Sequence, residues 1–139
     1  MQSMIQFFGT LICITFAFNT QATGTFGSSF DALDIMPPEE AFVISQPALN
    51  MVQIAVSAGV YLYDDMTAIL TLDDKVVRES ARPRATMYDD PVFGPRPIHR
   101  GNIVITLQNP PKKAVLHYQG CADAGFCYPP MQTELLFSR

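Results

Sequence analysis

The run Tyr118-Gln119-Gly120-Cys121-Ala122-Asp123-Ala124-Gly125-Phe126-Cys127-Tyr128-Pro129-Pro130 brings two cysteines close enough in the chain to face each other. Two thiols in one short loop have two uses. As a reactive pair, one thiolate attacks a disulfide of another molecule, a mixed disulfide forms, and the second cysteine resolves it. As a structural pair they brace the fold, and so small a loop yields only about 2–3 kcal/mol of chain-entropy stabilisation. A bridge between distant strands would brace better, which weakly favours the reactive use. Spacing alone leaves the structural use open. Gly120 and Gly125 supply the backbone freedom that closing a short loop needs, and Pro129-Pro130 ends a ladder just after the second cysteine.

Other chemistry finds little support. His99 and His117 are the only histidines. With the two cysteines they match no common zinc spacing, and an oxidised pair would not bind zinc, so neither a metal nor another cofactor is expected. No phosphate-binding glycine loop and no nucleophile triad can be placed. The formal net charge is -4 and no basic cluster exceeds two adjacent residues. Nucleic acid, whose binding needs many phosphate-neutralising cations, is not an expected partner.

The first 22 residues read as a secretory signal. Ile5 to Phe18 is mostly apolar and uncharged, too short for a comfortable span, and Thr20-Gln21-Ala22 offers small residues around a cut after Ala22. The competing reading is an uncleaved anchor or a buried N-terminal helix. A lipoprotein reading would need a small residue before Cys13, where Ile12 stands. Cleavage would remove Cys13 and leave a mature domain over residues 23–139 with Cys121 and Cys127 as its cysteines, which in an exported protein most simply form one disulfide.

The elements that must position this pair read as strands. With 48% hydrophobic and 16% charged residues the chain is globular, and 11 prolines with 8 glycines argue for many turns and against a helical bundle. Residues 23–40 read as an extended arm that Phe26, Phe30 and Met36 could pin to a core. From Ala41 the apolar period is two. Val52, Ile54 and Val56 alternate with Met51, Gln53, Ala55 and Ser57. A turn at Ala58-Gly59 leads into Val60 to Tyr63, and further strands are expected at Ala68 to Leu72, around Ile103 and Ile105, at Val115 to Tyr118 and at Thr133 to Phe137. The pattern predicts an all-β sandwich. Glu79 to Gly101, with Pro83, Pro91, Pro95 and Pro97, is expected to be a long loop, because proline lacks the N–H a ladder needs.

The cysteine run resembles the active-site motif of the N-terminal, periplasmic domain of the thiol:disulfide interchange protein DsbD. The likeness is collinear elsewhere. Met36-Pro37-Pro38-Glu39-Glu40-Ala41-Phe42 is similar to that family's entry into its first core strand, Gly59-Val60-Tyr61-Leu62-Tyr63 to an aromatic strand, and Asp89 to Gly94 falls where the family carries a cap loop. The resemblance covers roughly Phe30 to Ser138. It implies an immunoglobulin-like β-sandwich with the cysteine pair in a strand-loop-strand insert and a long cap loop.

It also implies that Cys127 makes the mixed disulfide and Cys121 resolves it, and that Tyr61 and Tyr63 line the site. Asp90, Val92 and Phe93 would form the cap, with Phe93 or, less well, Val92 covering the disulfide. Phe126 would shield the disulfide or fill the loop. A carboxylate expected on a strand near the cysteines is replaced by Ser45, which would leave the thiols slightly more acidic.

The implied role is a periplasmic protein-disulfide reductase component without cofactor, and a monomer. It would take electrons from a thioredoxin-like or membrane-linked donor and pass them to thioredoxin-like partners of the disulfide-isomerase or cytochrome c maturation type. The family's full protein continues into a membrane domain and a thioredoxin-like domain, so this chain is read as a free-standing version or a fragment. The rival readings are a secreted immunoglobulin-like binding module with a structural disulfide, and a redox-inactive scaffold for a membrane partner.

Overall fold

The computed structural model describes residues 35–137. The expected signal peptide, Cys13, Phe26 and Phe30 lie outside the described residues. Among those described, no helix is long and apolar enough to cross a membrane.

Alternation builds the sandwich as expected. In β2 (Met51–Val56) Val52, Ile54 and Val56 are buried while their neighbours are half exposed. β8 (Asn102–Leu107) buries Ile103, Ile105 and Leu107, and β9 (Lys113–Tyr118) buries Ala114, Leu116 and Tyr118. With β1 (Phe42–Ala48) and β5 (Glu79–Ala81), a first sheet runs β1-β2-β8-β5. With β4 (Ala68–Leu70) and β11 (Met131–Leu136), a second runs β11-β9-β4. Their inward side chains form one core that includes Val52, Ile54, Ile105, Ile69, Leu116 and Leu135. Strand pairing is antiparallel throughout these sheets. The fold is thus an all-β, immunoglobulin-like sandwich. One helical turn, Pro38–Ala41, precedes β1 with proline in its first turn, where no N–H is needed.

A third sheet carries the cysteines. Its order is β10-β3-β7-β6, from β10 (Gly120–Ala122), β3 (Val60–Tyr63), β7 (Gly94–His99) and β6 (Thr86–Asp90). All four residues of β3 are buried. Val60 and Leu62 enter the main core, while Tyr61 and Tyr63 enter a second cluster with Ile98 and Cys121. The two-residue period of a strand makes this division, and a continuous apolar run is what a strand covered on both faces requires.

The segment expected as a long loop is mostly strand. β6 and β7 form a hairpin in register from Thr86↔Ile98 to Asp90↔Gly94, and the loop shrinks to the turn Pro91-Val92-Phe93. The prolines fit because of where their missing donors would point. The Pro97 carbonyl accepts from the Asp64 N–H at 2.9 Å, so odd residues of β7 aim their backbone groups away from β6. On that side the Asp64 carbonyl takes its donors from the Thr67 N–H at 3.1 Å and Arg82 Nη1 at 3.2 Å, and needs none from Pro97. A proline whose N faces away from the ladder costs that ladder nothing.

Candidate active site

The cysteine loop is a narrow hairpin. The Ala122 N–H donates to the Phe126 carbonyl at 2.7 Å and the Tyr128 N–H to the Gly120 carbonyl at 3.0 Å. These bonds flank Cys121 and Cys127 and make them a non-hydrogen-bonded antiparallel pair, the kind whose side chains stand closest. Their Cα atoms are 4.0 Å apart and the sulfurs are bonded. Gly125 turns the loop at φ 87°, a conformation few other residues take. Gly120 has a different reason to be glycine. A Cβ there would run into the Tyr61 carbonyl oxygen and lie 2.7 Å from the Phe42 ring.

The two sulfurs are not equivalent. Cys121 on β10 is 0% exposed, while Cys127 is half-buried at the open edge of the sheet. Of the two cysteines, Cys127 is the one with surface open to solvent.

Beneath Cys121 lie the two tyrosines of β3. The Tyr61 hydroxyl donates to Asp90 Oδ2 at 2.5 Å and the Tyr63 hydroxyl to the same oxygen at 2.6 Å. The Tyr63 oxygen is also 3.0 Å from Cys121 Sγ. A phenol has one proton, so Tyr63 can serve Asp90 or the sulfur but not both at once. Asp90, at the end of β6, is 3% exposed, and its Oδ1 accepts from the backbone N–H of Val92 at 2.7 Å and of Phe93 at 2.9 Å. Burial alone would raise its carboxyl, but bonds from Tyr61, Tyr63, Phe93 and Val92 outweigh burial and hold it at about 2. On the phenols, burial and the Asp90 carboxylate act together and raise both. Tyr61 is raised far above the ordinary phenol range and Tyr63 to about 12.

The carboxylate expected on a strand is thus present, but at Asp90. Ser45, where its absence was expected to matter, is exposed on β1 opposite Gln53. Asp90 also fixes the turn that follows it.

The turn places Phe93 against Tyr63. Its ring meets Tyr63 edge-on with centroids 5.8 Å apart. Phe93 is 47% exposed and Val92 57%, and Phe93 alone of the two has a ring contact with the site. Phe126 lies elsewhere. It is half-buried, meets Tyr128 edge-on at 5.1 Å and packs on the main core, so it fills the loop's underside.

Four residues of this site were not anticipated. Arg96 stacks on Tyr63 and Phe93, each centroid 5.7 Å from its guanidinium carbon. Arg100 lies over Tyr61 and Tyr88 at 5.1 and 5.4 Å, and binds Asp123 of the cysteine loop at 3.0 and 2.7 Å. Strand alternation carried the signal, since Arg96, Ile98 and Arg100 share a parity and Ile98 is an apolar residue of the cluster. His99 serves a separate network, with Nε2 2.7 Å from Asp64 Oδ1, which Arg82 Nη1 also binds at 2.8 Å.

Asp90 makes the fold acid-sensitive. A carboxyl whose folded pKa lies below its unfolded value stabilises the fold above the unfolded value, and that stabilisation disappears as pH falls to the folded one. For a drop from 3.8 to about 2 this amounts to about 2 kcal/mol, lost between roughly pH 5 and pH 2. In urea titrations across that range the parent should lose this increment, and Asp90→Asn should show a correspondingly shallower decline. Parallel declines would contradict the assignment.

Comparison with known proteins agrees with this geometry. The family model described as "Thiol:disulfide interchange protein DsbD, N-terminal" matches residues 32–139. The thiol:disulfide interchange protein DsbD of Neisseria meningitidis is 30% identical over 133 residues, 89% of this chain and 22% of that protein. Its Escherichia coli K12 counterpart is 32% identical over 120 residues, 78% of this chain and 21% of that protein. This chain therefore spans about a fifth of the curated relatives' length. Among solved structures, the reduced N. meningitidis DsbD N-terminal domain superposes with TM-score 0.65 and 28% identity, covering 76% of this chain and 91% of that one. The N. meningitidis complex between the DsbD and PilB N-terminal domains gives TM-score 0.60 and 30% identity, covering 76% and 89%. A match over most of the sequence, joined to the same fold, shows that this chain belongs to the family of the N-terminal domain of the thiol:disulfide interchange protein DsbD.

Proposed function

We propose that this chain is a periplasmic thiol–disulfide interchange domain. It relays reducing equivalents from a thioredoxin-like or membrane-linked dithiol donor to oxidised partner proteins, such as thioredoxin-like disulfide isomerases or cytochrome c maturation proteins. The observation that carries this reading is the asymmetry of the bonded pair, with Cys127 half-buried at a sheet edge and Cys121 sealed behind it. The family's N-terminal domain in complex with a PilB N-terminal domain supports a protein as the partner.

The electrons balance as follows. A donor thiolate attacks Sγ of Cys127, and the Cys121–Cys127 bond breaks with its electron pair on Cys121. The donor's second thiol displaces Cys127 and leaves as a disulfide. Two electrons and two protons have entered the domain. Toward an oxidised partner, the Cys127 thiolate attacks one partner sulfur, and Cys121 then attacks Sγ of Cys127 to release the partner as a dithiol. Tyr63 can assist whenever Cys121 carries charge, by turning its proton from Asp90 to the sulfur, because Tyr61 continues to bond Asp90. Phe93 acts as the cap that covers the disulfide between encounters.

The test is the reduction potential of Cys121–Cys127, equilibrated against glutathione or dithiothreitol and read by thiol labelling. A value between about -180 and -270 mV is expected for an exchange protein. A value below about -300 mV with no reaction toward a thioredoxin-like dithiol would overturn the relay. The domain would then be an immunoglobulin-like binding module with a structural disulfide.

A further inference from the structure

Phe93 covers the site without being held there by burial, since nearly half of it faces solvent. Asp90 fixes the backbone of the turn, because it accepts from the Val92 and Phe93 N–H groups. It does not touch the Phe93 ring. That ring meets Tyr63 edge-on and lies 5.7 Å from the guanidinium carbon of Arg96.

Arg96 stands on β7 opposite Tyr88, on the side of the strand that faces the site. Its guanidinium carbon is equally distant, 5.7 Å, from the Phe93 ring of the turn and the Tyr63 ring of the floor. Nη1 is anchored by Asp65 Oδ2 at 3.1 Å, just beyond the end of β3. One cation thus joins three segments, the turn, the floor and the corner after β3. A cation beside two rings attracts both, and more strongly where water is partly excluded. The Arg96 side chain is 27% exposed. Its Nε is fully buried and has no hydrogen-bond partner among the described residues. Leaving a donor unpaired opposes the closed position, and swinging outward relieves it. The contact is therefore balanced between attraction to the rings and an unmet donor, as a reversible latch requires.

We propose that Arg96 is the latch of the cap: its guanidinium, anchored on Asp65, holds Phe93 against Tyr63 and so sets how often the Cys121–Cys127 disulfide is open to attack. The latch rests on the reading of Phe93 as a cap. Arg96 is a positioning residue in this scheme, since it acts on the sulfurs through Phe93 and Tyr63. Because the anchor is a partly exposed ion pair, added salt loosens it.

The experiment follows reduction of the oxidised protein by dithiothreitol, read by thiol labelling, with melting curves confirming that each variant is folded. Phe93→Ala reports the cap, and Arg96→Met removes the charge while keeping most of the volume. Arg96→Met should be reduced about threefold to tenfold faster than the parent, with Arg96→Lys in between. The double variant should be no faster than Phe93→Ala. Salt should accelerate reduction of the parent and leave Arg96→Met unchanged, a response that a purely structural role would not produce. Should Arg96→Met fail to fold, Asp65→Asn carries the test, with acceleration expected at low salt. If Phe93→Ala is faster but the Arg96 and Asp65 variants stay within twofold of the parent, the latch is overturned and the cap stands. If Phe93→Ala itself reacts at the parental rate, the cap reading fails and the latch falls with it.

Discussion

Cys121→Ser is expected to accumulate a mixed disulfide through Cys127 with an oxidised thioredoxin-like partner, approaching one partner per domain. The reason is geometric. Cys127 is the half-buried sulfur at the sheet edge, so it can meet a partner's disulfide, while Cys121 is enclosed by Tyr61, Tyr63 and Ile98 and can attack only what Cys127 presents to it. Serine at position 121 removes the resolving thiol and leaves the first step intact. Cys127→Ser removes the first step, and exchange should fall to the rate seen without the domain. Non-reducing electrophoresis distinguishes the two, with a trapped heterodimer for Cys121→Ser and none for Cys127→Ser. The reverse pattern would mean that the buried sulfur becomes the attacking one on reduction, which would require β10 to move.

Gly120→Ala is expected to be the most destabilising single methyl in the domain. The added Cβ would collide with the Tyr61 carbonyl oxygen, a backbone atom of a strand buried on both faces, and with the Phe42 ring. Phe42 cannot retreat easily, because it meets Tyr118 and Tyr128 edge-on at 5.8 and 5.2 Å. Overpacking against yielding side chains costs about 1–3 kcal/mol. With backbone on one side the cost should reach about 3 kcal/mol, which lowers the melting temperature of a domain this size by roughly 10–20 °C. A variant melting within about 3 °C of the parent would show that β10 can slide away from β3. In that case the position of Cys121 over Tyr63 is looser than the static geometry implies.

Much of the sandwich was legible in the sequence because its strands alternate. Val52, Ile54 and Val56 announce β2, and Ile103 and Ile105 announce β8, by period alone. The cysteine loop was legible because its residue types are demanding, although Gly120 proved necessary for close approach to β3 rather than for loop closure. The β6–β7 hairpin was not legible. Pro95 and Pro97 forbid a ladder on one side of β7 only, and a sequence does not say which side the neighbouring strand occupies. Asp90 was placed in the cap by resemblance, but its contacts were hidden for a related reason. It reads as one of two loop acids, Asp89 and Asp90, and only the hairpin register turns one inward onto two phenols and leaves the other exposed. Arg96 and Arg100 were missed because their shared parity with Ile98 carries meaning only once the segment is known to be a strand, and it was expected to be a loop.

The double burial of β3 has a consequence for how such a domain can diverge. Each of its four positions is committed, two to the sandwich core and two to the site, so a change at any of them disturbs fold and chemistry together. The β6–β7 hairpin is the opposite case. Met87, Asp89, Pro91, Val92 and Pro95 face solvent, and substitutions there leave the core untouched. Variation that survives selection should therefore collect at these positions of the hairpin, where it can retune access to the sulfurs and the choice of partner while Asp90, Ile98 and the strand beneath stay fixed. The architecture separates what must be inherited from what is free to adapt.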